Sequence, residues 1–449
     1  MKISFLNIEG EVTGSRYLIE QEHSKILVDC GLFQGKGNVK YNWEAFPIEP
    51  KNIDAIILTH AHLDHSGYIP YLVKNGFNGK IYSSQATYAL CKVILTDSGS
   101  LEERHADFVN NRQDSEKISP LYTLEDAQRS LRFFHPVDYD KPFNIGNLTV
   151  NLIFSAHILG SSFVVISDGK NRLTFSGDLG RPNQLIMKDP PKIKNTDYLV
   201  LESTYGDRIH EKGDPFLVLE QIIHQTIKKS GILIIPAFAV ERTQLLLYCL
   251  AQLKNKKLIP DIPIYLDSPM AIAVTELFCQ FKEEHALEAS LCHDITNVAR
   301  YIRTAQESKN LDNETHGPAI IIAGSGMADG GRVMYHLQRY ISDKKSTVLF
   351  TGYQAMGTLG QMLIKGENMV RIYGKMHIVR AEIKKLDMFS AHADYNEILE
   401  WLSGLEKAPK KLFLTHGEEP AERSLKELIE KKFGWTVIIP KHAESFDLE

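Results

Sequence analysis

The nine residues Thr59-His60-Ala61-His62-Leu63-Asp64-His65-Ser66-Gly67 constrain this chain more than any other stretch. They follow an apolar run at residues 53–58 that reads as a strand. In extended backbone, side chains two residues apart point the same way, so His60 and His62 can chelate one ion. A turn just afterwards aims Asp64 and His65 at a neighbouring position. Neutral imidazoles and a carboxylate suit Zn²⁺. A lone histidine after a strand is ordinarily a satisfied structural residue. Three histidines and an aspartate at this spacing read instead as ligands.

Other apolar runs also stop at candidate ligands. Residues 25–29 end in Asp29 ahead of a glycine-rich stretch, and residues 148–154 end before His157. Residues 163–166 and 172–175 flank Asp168-Gly169, a hairpin signal. Ligands at strand ends are what a sheet-built site requires. Residues 86–134 are charged and helix-like, either a lid or a solvated helical face. From about residue 207 strand-like and helix-like runs alternate: 231–236 then 242–253, 262–266 then 270–281, 319–323 then 331–341. That alternation predicts a parallel sheet with helices on its faces. Beyond about residue 380 short strands return at 411–414 and 436–439, around a helix at 420–432.

Composition sets the outer bounds. A length of 449 residues suggests two or three domains, at roughly 150 residues each. Hydrophobic residues at 43% and charged residues at 24% are those of a globular protein and argue against a disordered or collagen-like one. A net charge of −5 disfavours a non-specific nucleic-acid coat but leaves room for a local cationic track. No apolar run approaches the ~20 residues of a membrane span. The first apolar stretch is cut by Glu9, so no secretory signal is read. Five cysteines without a C-x-x-C pair read as free thiols, and a cytoplasmic location is expected.

The spacing of the histidine segment resembles the H-x-H-x-D-H motif of the metallo-β-lactamase superfamily. Asp29 in Leu27-Val28-Asp29-Cys30-Gly31, His157 in Ser155-Ala156-His157 and Asp178 in Phe175-Ser176-Gly177-Asp178 match its other elements in order. Three further segments resemble motifs A, B and C of the β-CASP ribonucleases. They are Leu201-Glu202-Ser203-Thr204, Phe389-Ser390-Ala391-His392-Ala393-Asp394 and Leu414-Thr415-His416-Gly417. Ile235-Pro236-Ala237-Phe238-Ala239-Val240, Gly324-Ser325-Gly326-Met327 and Gly352-Tyr353-Gln354-Ala355 resemble segments of the inserted β-CASP domain. The likeness covers nearly the whole chain and is greatest to compact prokaryotic members and to the endonuclease subunit of the cleavage and polyadenylation machinery.

The resemblance implies an α/β fold, an αββα metallo-β-lactamase sandwich with an inserted parallel α/β β-CASP domain. The sandwich would occupy residues 1–207 and 381–449, and the insertion 208–380. It implies two zinc ions, with manganese as the alternative. His60, His62 and His157 would hold one, and Asp64, His65 and His416 the other, with Asp178 bridging. Asp29 would orient the ligand loop from outside the ligand set. Asp64, Asp178, Glu202 and His392 carry the catalytic expectation, His392 as proton donor or phosphate contact beside Glu202. Ser325, Gly326 and Arg332, with His392, are candidate contacts to substrate, because Gly-rich backbone opening a helix can hold a phosphate.

The implied function is RNA phosphodiester hydrolysis by metal-activated water, in RNA processing or decay. The partner is single-stranded RNA rather than a membrane, and a homodimer is compatible with the sequence. Within the family, motif C is histidine in RNA-directed members and commonly valine in DNA-repair members, so His416 favours RNA. A DNA nuclease of the same family and a catalytically silent RNA-binding scaffold are the alternatives. A small-molecule hydrolase would not need the insertion or the Glu202/His392 pair. Gly324-Ser325-Gly326 is not a dinucleotide fingerprint, since Asp329 stands where G-x-G-x-x-G needs its third glycine. Ser203, Ser268 and Ser325 lack the G-x-S-x-G setting of a nucleophile.

Overall fold

Leu199 and Leu201 point to one face of their strand, Tyr198 and Val200 to the other, and all four are buried. A strand buried on both faces must be covered on both, and the computed structural model of the chain shows how. It describes residues 1–35, 37–111, 117–315, 317–352, 354 and 357–449. Tyr353 and Ala355 of the Gly352–Ala355 segment lie outside the described residues, as do residues 112–116 of the lid-or-face stretch.

The chain forms two compact units, described separately below. The first comprises residues 1–184, 188–209 and 392–449. It contains two mixed sheets. One orders its strands Ser445–Asp447, Lys2–Phe5, Arg16–Gln21, Ser24–Cys30, Ala55–Ile57, Lys80–Ser84 and Phe134–Val137. The other runs Val437–Ile438, Lys411–Thr415, Tyr198–Glu202, Arg172–Phe175, Ser162–Ser167, Leu148–Phe154 and Phe143–Ile145. Ile19, Val28 and Ile57 of the first sheet meet Val164, Phe175, Val200 and Phe413 of the second in one core. On the outer face of the second sheet, Leu199, Leu201, Leu412 and Leu414 pack against Ile398 and Leu402 of the helix Tyr395–Leu402. Leu425 and Ile429 of the helix Glu419–Phe433 complete that layer. Full burial of each such side chain is worth about 1.5–3 kcal/mol. The helix Gln85–Asn110 buries Leu90, Ile94 and Leu95 and packs on the strands Lys80–Ser84 and Phe134–Val137, so its first half is a sandwich layer rather than a lid.

The order of layers brings distant segments together. Tyr198–Glu202 and Lys411–Thr415 pair in parallel, with Glu202 opposite Thr415, so motif A and motif C end side by side. His392 is tied by an isolated antiparallel bridge to Gly180, in the loop that follows the strand Arg172–Phe175, and the amide of Ala393 donates to the Leu179 carbonyl at 3.0 Å. Asp394 then caps the helix Tyr395–Leu402, accepting from the amides of Asn396 and Glu397.

The second unit comprises residues 185–187 and 210–391. Its sheet orders Arg300–Tyr301, Ile264–Asp267, Ala319–Ala323, Ile232–Pro236, Thr347–Phe350 and Glu382–Lys385, and every pairing is parallel. Its central strands Ile232–Pro236 and Ala319–Ala323 are buried throughout, hence their unbroken apolar sequence. The unit extends to residue 391, past the sequence boundary of 380, because Glu382–Lys385 adds a parallel strand beside Thr347–Phe350. The charged repeat Glu382-Ile383-Lys384-Lys385 conceals that strand in the sequence.

Candidate active site

The strand Ala55–Ile57 runs out at Leu58, and residues 59–62 leave it as irregular backbone. The single turn Leu63–Ser66 follows, with the amides of His65 and Ser66 donating to the His62 carbonyl at 3.0 and 2.8 Å. Gly31 lets this turn dock: a Cβ there would stand 1.6 Å from the Asp64 carbonyl oxygen. The turn places two sets of ligand atoms.

In the first set, Nε2 of His60 and Nδ1 of His62 are 3.1 Å apart, and Nε2 of His157 lies 3.4 Å from that Nδ1. Oδ2 of Asp178 is 3.3 Å from Nε2 of both His60 and His157. In the second, Nε2 of His65 and of His416 are 3.2 Å apart, and Oδ2 of Asp64 is 3.4 Å from His416 Nε2. Asp178 offers its other oxygen here, Oδ1 lying 3.2 Å from His65 Nε2.

These separations test whether a metal fits. Ligands at about 2.0–2.1 Å around a tetrahedral zinc stand about 3.3 Å from one another. Both sets match that edge. Asp178 Oδ1 is fully buried and receives no hydrogen bond, with the His65 Nε2 lying 3.2 Å away. The donor set of imidazoles and carboxylates fits zinc, and these groups are placed so that they could hold a metal ion.

The outward nitrogens are held by partners that fix which atom faces inward. Asp29 Oδ2 lies 2.7 Å from His65 Nδ1, while its oxygens accept from the Thr59 amide and hydroxyl at 2.8 Å. Thr59 Oγ1 is 3.0 Å from His60 Nδ1, and Thr204 Oγ1 is 3.1 Å from His416 Nδ1. Burial and the neighbouring His60 imidazole push His62 down to about 3, and burial lowers His60 and His157 as well. These three are therefore neutral, as ligands must be. At His65 burial acts the same way, but the charges of Asp178 and Asp29 outweigh it and raise the imidazole. The second set thus favours positive charge.

Glu202 and His392 are 190 residues apart in sequence and in contact in space. Nδ1 of His392 sits 3.1 and 3.0 Å from the two Glu202 oxygens, and Oε1 of Glu202 also accepts from the Leu179 amide. His392 Nδ1 lies 4.0 Å from Asp178 Oδ2, so the pair borders the ligand sets. Burial opposes charge on His392, but Glu202 and Asp178 outweigh it and raise the imidazole to about 9. It is protonated at neutral pH.

Thus the first unit alone brings together His60, His62, Asp64, His65, His157, Asp178, His416, Asp29, Glu202 and His392. Ser325, Gly326 and Arg332 lie in the second unit. There Arg332 Nη1 donates to Asp267 at 2.6 Å and to the Ile302 carbonyl at 3.0 Å, so its guanidinium is engaged internally. Ser325 Oγ donates to Asp329, and the Gly326 carbonyl accepts from Gln354. Ser203 donates to the Thr415 carbonyl and Ser268 caps the helix Pro269–Gln280, both structural tasks. Sequence reading missed Thr59 and Thr204. Their signal was adjacency, Thr59 preceding His60 and Thr204 standing inside motif A two residues after Glu202.

Comparison with known proteins agrees with this geometry. Residues 10–232 match the metallo-β-lactamase superfamily, residues 243–363 the Beta-Casp domain, and residues 376–440 the Zn-dependent metallo-hydrolase RNA specificity domain. The chain is similar to a ribonuclease of Thermus thermophilus, 35% identical over 96% of each chain. It is also similar to the transcription termination factor FttA of a Lokiarchaeum, 30% identical over 97% of this chain and 69% of that protein. In fold it resembles a protein of unknown function from Enterococcus faecalis V583, with a TM-score of 0.56 at 16% identity over 100% of this chain and 99% of that one.

Proposed function

This chain belongs to the β-CASP branch of the metallo-β-lactamase superfamily, and from that premise we propose that it is a zinc-dependent ribonuclease hydrolysing RNA phosphodiester bonds. One observation carries the reading: two tetrahedral-edge ligand sets share Asp178, each claiming a different carboxylate oxygen. His60, His62 and His157 would hold one zinc, and Asp64, His65 and His416 the other. Two such ions, when bound, would supply Lewis-acid charge at phosphorus and would lower the pKa of a water towards neutrality.

The remaining steps belong to the chain's own groups. Asp178 spans both ligand sets and fixes their separation. Asp29, Thr59 and Thr204 hold three imidazoles so that Nε2 faces inward. His392, protonated and clamped by both oxygens of Glu202, donates its proton to the departing 3′ oxygen. The match of residues 376–440, which include His392 and His416, to an RNA specificity domain favours RNA over DNA.

The test is incubation of the purified protein with single-stranded RNA labelled at either end, with and without chelator. Cleavage should need metal and leave a 5′ phosphate, and the two labels separate internal from 5′-to-3′ terminal cutting. Products ending in a 2′,3′-cyclic phosphate would refute the mechanism, because metal-activated water needs no 2′-hydroxyl. Equal rates on single-stranded DNA would turn the assignment to a DNA nuclease.

A further inference from the structure

Arg242 opens the helix Arg242–Asn255, just past the carboxyl end of the strand Ile232–Pro236. Its side chain is 10% exposed, and among the described residues neither Nε nor Nη1 has a hydrogen-bond partner. Among the described residues its ion-pair neighbour is Glu241, whose Oε2 stands 4.0 Å from Nη2, beyond hydrogen-bond range. Withdrawing a guanidinium from water with two donors unmet is costly, and buried polar groups in native proteins almost always have a partner. Arg332, by contrast, has Asp267.

The surroundings indicate what the missing partner is. No side chain caps this helix: Glu241 stands at its N-cap with φ +64° and makes no capping hydrogen bond. Over 14 residues, the helix presents its positive end at the same place as the guanidinium. Gly352 lies against the guanidinium, where a Cβ would be in ordinary contact at 3.7 Å from Nη2. Three adjacent parallel strands, Ala319–Ala323, Ile232–Pro236 and Thr347–Phe350, end at this edge. The carboxyl edge of such a sheet is where open α/β folds take their ligands.

We propose that Arg242 and the first turn of its helix form an oxyanion site that takes a phosphoryl group of the RNA, either an internal phosphodiester or a terminal 5′ phosphate. The identity of the ligand rests on the ribonuclease reading; the phosphate chemistry of the site does not.

The test uses full-length, zinc-loaded protein carrying Arg242→Gln or Arg242→Lys in a His392→Ala background, where cleavage is slow. Binding of short single-stranded RNA, with and without a 5′ phosphate, is followed by fluorescence anisotropy across a salt series. Arg242→Gln should weaken binding about tenfold or more and reduce the slope of log affinity against log salt by about one. Arg242→Lys, which keeps the charge but loses the fork, should weaken it less. Loss with both oligomers assigns an internal phosphodiester, and loss with the phosphorylated one alone assigns the terminus. Inorganic phosphate titrated calorimetrically should find one site fewer in Arg242→Gln than in its parent. That arm holds even if the RNA reading fails. Removing an unpaired buried charge should leave the ligand-free melting temperature level or higher. A lower melting temperature with unchanged phosphate stoichiometry would overturn the proposal in favour of a structural role. So would unchanged affinity and slope for both oligomers. If Arg242→Gln does not fold, an Arg242→Lys protein indistinguishable from its parent overturns it equally.

Discussion

Asp178 in the first unit and Asp267 in the second are both buried carboxylates at or just beyond strand ends, both beside histidine, and they do different work. Asp267 is satisfied. Its Oδ1 accepts from Arg332 at 2.6 Å, and its Oδ2 lies 2.5 Å from the Ser308 hydroxyl and 2.9 Å from His336 Nε2. Around Asp178 four imidazoles stand 3.2–3.6 Å off, and Oδ1 receives no hydrogen bond. Burial and a histidine neighbour therefore do not distinguish a site from a strut. Distance and unmet valence do: directed donors at hydrogen-bond length close a structural pair, whereas convergent lone pairs at tetrahedral edge length leave room for a cation.

The sharpest way to break the comparison is to neutralise both carboxylates. Asp178→Asn should drop metal content below the two ions expected per chain and lower turnover by at least about 10³-fold, measured by elemental analysis and single-turnover RNA cleavage. Full metal occupancy in that variant would show that the bridging assignment is wrong. Next in size, His392→Ala should keep both metals and lose roughly 10²–10⁴-fold in rate. Glu202→Gln should lose less, since the imidazole remains. If His392→Ala instead lowers metal content, His392 is a ligand.

Asp267→Asn should behave in the opposite way. Breaking a buried ion pair leaves Arg332 uncompensated and costs about 3–5 kcal/mol, read in denaturant unfolding, with metal content unchanged. A metal-depleted Asp267→Asn protein would erase the distinction between the two carboxylates.

The smallest effect concerns a third buried carboxyl. Glu422, on the helix Glu419–Phe433, is raised to about 8 by burial, against the Gly10 amide and with help from Glu9 and Glu419. The unfolded chain ionises it near the ordinary 4.5, so below that pH both states hold the proton and nothing is lost. Between there and about 8 the folded state binds the extra proton, and stability falls as pH rises. Glu422→Gln should therefore melt higher than the parent at pH 9 and alongside it at pH 4.5. The same gap at both pH values would mean that packing, not ionisation, sets the difference.

How far the sequence could be read follows from how local each feature is. The His60–His65 segment carries its chemistry within six residues, and unbroken apolar runs such as Ile232–Pro236 announce a strand buried on both faces. The pairing of Glu202 with His392 was legible only through family motifs, because no local period links residues so far apart. The strand Glu382–Lys385 hid behind charged residues, and the hairpin of Met369–Ile372 with Lys375–Ile378 behind exposed methionines. Arg332 stood out as a candidate phosphate contact because of its glycine-rich neighbourhood. Which arginine is already taken depends on Asp267, 65 residues from Arg332, and spacing cannot show that.

His416 reaches the site on the strand Lys411–Thr415, which pairs with Tyr198–Glu202 across the whole intervening second unit. A polypeptide still being translated has made the other six candidate ligands, His60 to Asp178, long before it has made this one. The second ligand set stays open until residue 416 has been made. On the ribonuclease reading, a nascent chain tethered beside its own message lacks one of the seven candidate ligands until that residue is made.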